Sequence, residues 1–154
     1  MELVLKDKKV LEKITFLEHE KEKIFENAIL DCREVNEQEA TRLSEIDKNV
    51  AFLNAHIEKT YVCTHLNGLI YKEFFEKSNK LVGEIDKDSL NELIDFVCKV
   101  YGDKFSIDDF LQGIELDKVL STIVSVFNET GAMIVKDKQN IDNSLQKGGK
   151  ASPQ

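Results

Sequence analysis

Residues 89–130, SLNELIDFVCKVYGDKFSIDDFLQGIELDKVLSTIVSVFNET, carry successive amphipathic helix patterns joined by very short steps. Ser89 and Glu92 have the spacing of a capping box, in which each side chain satisfies the other's free backbone N–H. Behind them Leu90, Leu93, Ile94, Val97, Val100 and Tyr101 recur at helical spacing. Gly102 stands where a helix commonly ends in a left-handed residue. Ser106 and Asp109 open a second, short helix whose apolar side is Phe110, Leu111 and Ile114. Asp117 is placed to cap a third, with a stripe of Leu120, Ile123, Val124 and Phe127, Val119 and Val126 on its flanks, and Gly131 after its last turn. The block predicts a compact helical core.

The run ELIDFVCKVYGDKFSIDDFLQGIELDKVLSTIVSVFNE resembles the tail assembly chaperones of long-tailed phages, siphoviruses and prophages of Gram-positive bacteria especially. In that family a Val- and Phe-rich helix ends in an aromatic residue and Gly, then come a short x-F-[ST]-I-D-D step, a GI or GL turn and a final apolar helix. Here the matching pieces are Leu93–Gly102, Phe105–Asp109, Gly113–Ile114 and Asp117–Glu129. The resemblance implies a non-catalytic protein of the host cytoplasm, absent from the finished virion. Its implied partner is the tape measure protein, kept soluble while the tail tube assembles, and, through a frameshifted longer form, the tail tube protein. Such a form arises from a −1 slip near the end of the gene, and a slippery heptamer can be written across Gly148-Gly149-Lys150.

Upstream, Met1–Val10 alternates through Leu3 and Leu5 and reads as a short strand, with Tyr61–Thr64 a candidate partner. Leu11–Val35 reads as a helix through Ile14, Leu17, Ile24, Ala28 and Val35. A second helix runs from Gln38 to about Thr60, with Leu43, Ile46, Val50, Leu53 and Ile57 as a coiled-coil seam. The two seams are one residue out of step, which favours a turn at Val35–Glu39 and an antiparallel hairpin over one continuous rod. Asn36 and Glu39 have capping-box spacing at that turn. A third helical pattern lies in Tyr61–Leu81, through Leu66, Ile70 and Phe74. The expected organisation is mainly α: a strand over 1–10, a helical hairpin inserted over 11–60, a chaperone core over 61–135 and a disordered tail over 136–154.

With 42% apolar and 32% charged residues the composition fits a helix-rich globular protein. The net charge of −8 argues against a nucleic-acid partner, which demands a basic face to displace counterions. A helix-turn-helix reading of Tyr101–Ile107 would point Asp103, Asp108 and Asp109 at phosphates. The sequence shows no signal peptide and no apolar run near the roughly 20 residues that span a bilayer, so no membrane partner is expected. Cys32, Cys63 and Cys98 are widely spaced and odd in number, as suits a reducing compartment.

Catalytic, cofactor and metal sites are not expected. Gly148-Gly149-Lys150 lacks the following helix of a phosphate loop. Cys63 and His65 have no second Cys/His pair with which to hold zinc. Asp86-Lys87-Asp88 begins like a calcium loop, but Leu90, Asn91 and Val97 stand where its later ligands and its Gly belong. The functional expectation therefore falls on surfaces. Val97, Val100, Tyr101, Phe105 and Phe110 are the candidate apolar groove for a partner helix. Leu43, Ile46, Val50, Leu53 and Ile57 are the candidate seam for self-association into a homo-oligomer. The rival reading makes that second feature the function: a coiled-coil adaptor or oligomerisation protein acting through the helix over 38–60.

Overall fold

The computed structural model describes residues 1–148. Its elements are β1 (Glu2–Lys6), α1 (Lys8–Leu30), α2 (Glu37–Ala55), β2 (Glu58–Val62), α3 (Gly68–Ser78), α4 (Lys87–Val100), α5 (Ile107–Gly113) and α6 (Val119–Gly148), with 3₁₀ turns at Asn79–Leu81 and Leu116–Lys118. The fold is mainly α with one antiparallel strand pair, β1–β2. The Cys63 N–H donates to Met1 O at 2.9 Å and the Asp7 N–H to Ile57 O at 2.7 Å, which sets the register at both ends of the pair. Leu3 and Leu5 alternate inward from Glu2 and Val4, as the period-2 pattern predicts. The second strand starts before the expected Tyr61–Thr64, because α2 stops at Ala55 and frees Glu58–Thr60 to pair.

The chain forms two compact units, Val4–Thr60 and Met1–Leu3 with Tyr61 onward. The first is the helical hairpin. Asp7 caps α1, its carboxylate accepting the N–H groups of Lys9 and Val10. At the other end Cys32 is left-handed (φ 49), the Arg33 N–H donates to Ala28 O and the Cys32 N–H to Ile29 O, both at 3.0 Å. This is a Schellman closure with cysteine where glycine is usual. α2 then begins with the expected capping box: the Glu39 N–H donates to Asn36 Oδ1 at 2.8 Å and the Asn36 N–H to Glu39 Oε2 at 3.1 Å. Arg33 clamps the same Glu39 carboxylate through both terminal nitrogens at 2.7 and 2.8 Å. The turn therefore lies at Asp31–Asn36, a few residues before the predicted Val35–Glu39, because α1 is closed by its own cap at Cys32.

In the second unit α3, α4 and α6 pack on one another around Phe74, Phe96 and Phe127, and the Phe96 and Phe127 ring centroids are 4.5 Å apart. A second aromatic group joins the end of β2 to α5: Tyr61 meets Phe105 edge-on at 4.7 Å, and Phe105 lies 5.8 Å from Tyr101 and 6.3 Å from Phe110. Asp86, rather than Ser89, caps α4, accepting the Ser89 N–H at 2.7 Å. At its other end Gly102 (φ 72) and Asp103 close a Schellman motif, with the Asp103 N–H on Cys98 O and the Gly102 N–H on Lys99 O, both at 2.9 Å. Ser106 and Asp109 form the predicted capping box of α5.

The final helix departs most from expectation. Gly131 does not end it; α6 runs on to Gly148, through thirteen residues of the tail expected over 136–154. Ala132 and Met133, both strong helix formers, follow Gly131, and the packing of α6 on α3 offsets the roughly 1 kcal/mol that a helical glycine costs. Its buried side is also rotated from the predicted stripe. Val119, Ile123, Val126, Phe127 and Thr130 face the core, whereas Leu120 and Val124 are exposed. Leu116–Gly148 contains an 18-residue window with the mean hydropathy of a membrane span, where no such run was expected; 28% of that window is buried in this unit. Gly149 and Lys150, two of the three positions of the slip site, lie outside the described residues.

Candidate interaction surfaces

The five residues expected to line a groove are buried. Val97 and Phe110 have no exposed surface, and Val100, Tyr101 and Phe105 are nearly as enclosed. They point inward because α4 and α5 meet at the Gly102–Phe105 step, and the second aromatic group fills the space between them. The Tyr101 hydroxyl is enclosed with no hydrogen-bond partner among the described residues, and burial holds its pKa above the ordinary range. What opens to solvent over this core is an acidic cleft of about 860 Å³, with Asp95, Asp103, Asp108 and Asp109 against Lys104. Cys98 lies at its floor; burial first, then Asp95 and Asp103, push its thiol up to about 12, so it stays protonated.

The expected self-association seam is largely used within the hairpin. α2 packs on α1. Ile46 has no exposed surface and Ile57 is buried beyond the end of the helix, while Leu43, Val50 and Leu53 are half-buried. Paired charges stitch the helices together: Lys21 Nζ lies 2.6 Å from Asp47, and Arg42 donates twice to Glu20 at 2.7 and 2.8 Å.

The apolar surface that remains open lies elsewhere. In the second unit Leu116, Leu120, Val124 and Leu111 are exposed around the start of α6, and Ile141 and Leu145 along its far end. In the hairpin a groove of about 720 Å³ runs between α1 and α2, floored by Leu17 and Leu53 and flanked by Phe16 and Phe52, which are 69% and 64% exposed. Sequence reading missed this groove. Its signal is a pair of aromatic residues, Phe16 and Phe52, each one position off an otherwise regular seam.

Among known proteins, the family described as phage tail chaperone protein matches residues 42–148, well over half of the chain. The chain belongs to the phage tail chaperone family. The match covers the whole ordered helical core expected from the resemblance, and it also takes in α2 from Arg42 onward. The second helix of the hairpin is thus mostly within the family's span, where an insertion over 11–60 was expected; β1, α1 and the first residues of α2 precede it. No curated protein and no solved structure matches the chain. Membership of this family points to interaction with other tail proteins.

Proposed function

We propose that this tail chaperone binds the tape measure protein of a long-tailed phage and keeps it soluble during tail tube assembly, in the host cytoplasm and without catalysis. Membership of the tail chaperone family over 42–148 carries the reading. A tape measure protein is long, helical and rich in apolar stripes. Holding it requires apolar surface to cover those stripes reversibly and charge to keep the complex dispersed. The chain offers both: exposed Leu116, Leu120, Val124, Phe16 and Phe52, and a net charge of −8. A longer frameshifted form reaching the tail tube protein belongs to the same proposal. The adaptor reading has less support, since Ile46 and Ile57 of its seam are already buried.

The test is co-expression with the tape measure protein of the same phage. The expected result is a tape measure protein that is insoluble alone and soluble in a complex that co-purifies with the full chain. A tape measure protein that stays insoluble, with the chain alone in the soluble fraction, overturns the reading.

A further inference from the structure

The hairpin groove is apolar along its trough and positively charged at its edge. Phe16 and Leu17 from α1 face Phe52 and Leu53 from α2, and Lys9 and Lys13 stand beside them with Glu12. Neither lysine ammonium makes an ion pair among the described residues, whereas Lys21 and Arg42 further along the hairpin are neutralised across the helices by Asp47 and Glu20. Two unpaired cations at the rim of an apolar trough, in a chain of net charge −8, favour an occupant with apolar anchors and carboxylates beside them.

We propose that this groove docks an acid-flanked amphipathic helix of the tape measure protein, its apolar anchors between Phe16 and Phe52 and its carboxylates on Lys9 and Lys13. The inference rests on the tape measure reading above and adds to it the surface and the chemistry of the bound segment. The geometry is that of a helix laid in a groove, read by anchors one turn apart. Phe16 and Phe52, on the two walls of the trough, are of the aromatic class enriched at protein–protein interfaces. A second copy of this chain suits the groove less well, because an isologous contact would lay one net-positive rim against another. The family match begins at Arg42, so Phe16 and both lysines come from the helix that precedes it, and they are positioned to select this chain's own client.

The experiment uses the full chain co-expressed with the tape measure protein of the same phage. A photo-crosslinking phenylalanine analogue is placed at Phe52 in one sample and at Leu120 in another, and cross-linked peptides are sequenced. The expected result is a cross-link from position 52 to tape measure segments with Asp or Glu flanking apolar residues. Phe16→Ser/Phe52→Ser is expected to weaken the complex about thirtyfold or more, the scale of a hot-spot loss. Lys9→Glu/Lys13→Glu is expected to weaken it about tenfold, with recovery when the cross-linked carboxylates are changed to Lys. All four side chains line an open groove, and unchanged circular dichroism and Tm confirm that the variants fold. If the wild-type chain retains the tape measure protein while cross-links arise only from Leu120 and the groove variants bind normally, the groove proposal falls and the function stands. Cross-links from position 52 only to another copy of the chain overturn the choice of occupant. Failure of the wild-type chain to retain the tape measure protein overturns the function, and the groove proposal with it.

Discussion

The Phe74 ring occupies the space into which a side chain at Gly131 would grow: a Cβ built on Gly131 would lie 3.1 Å from Phe74 Cζ. Gly131 is therefore a close-packing position inside α6 and not its terminator. Gly131→Leu is expected to destabilise the second unit by about 2 kcal/mol, as overpacking does. Phe74→Ala introduced into Gly131→Leu should cost less than the same change in the wild type. Thermal or urea unfolding of the four species checks this. Equal costs in both backgrounds would show that the two residues do not share the space.

Cys32 holds a left-handed conformation that costs a residue with a Cβ about 1 kcal/mol and glycine almost nothing. Cys32→Gly should therefore stabilise the hairpin by up to about 1 kcal/mol, measured by urea unfolding. The same residue is the exposed thiol of the three; Cys63 and Cys98 are buried. An aromatic disulfide reagent should titrate one thiol quickly in the native protein and the other two only on unfolding. Loss of the fast phase in Cys32→Gly completes the assignment.

Glu39 is held near pKa 2, below its ordinary 4.5, first by the Arg33 guanidinium and then by the Asn36 N–H. A carboxylate whose pKa is lowered on folding stabilises the folded state above its unfolded pKa, and that contribution is lost as pH falls through the folded value. The Arg33–Glu39 clamp should thus be fully effective above about pH 4.5 and fade toward about pH 2. The carboxyl carbon of Glu39, followed by NMR, should titrate near 2 in the wild type and move up toward 4.5 in Arg33→Met. An unchanged midpoint in the variant would assign the shift to the backbone bond alone.

Tyr101 is nearly wholly enclosed, yet its hydroxyl has no protein partner among the described residues. Tyr101→Phe should keep the full stability or gain up to about 1 kcal/mol, because an unpaired buried hydroxyl contributes nothing to offset its desolvation. Tyr101→Ala or Phe110→Ala should cost about 3–5 kcal/mol, the range of aromatic truncation in a core. Leu120→Ser, at an exposed position, should stay within about 0.5 kcal/mol of the wild type. Unfolding midpoints order the four variants.

Local sequence determined the helices, several of their ends and the family. Amphipathic periodicity located the helical runs, the Asn36/Glu39 and Ser106/Asp109 boxes marked two starts, and Gly102 marked a stop, because each of these depends on neighbours within a turn of chain. The ordered run of weak motifs in 89–130 pointed to the family that the match over 42–148 then established. What required the tertiary structure was which side of each helix is spent on the core. Leu120 and Val124 fit a helical stripe as well as Val119 and Thr130 do, and only the packing of α3 and α4 on α6 turns the second pair inward. For the same reason the aromatic residues of the candidate groove proved to be core, and an open trough appeared between Phe16 and Phe52. Periodicity fixes angular position around one helix, whereas exposure depends on which other helices arrive there.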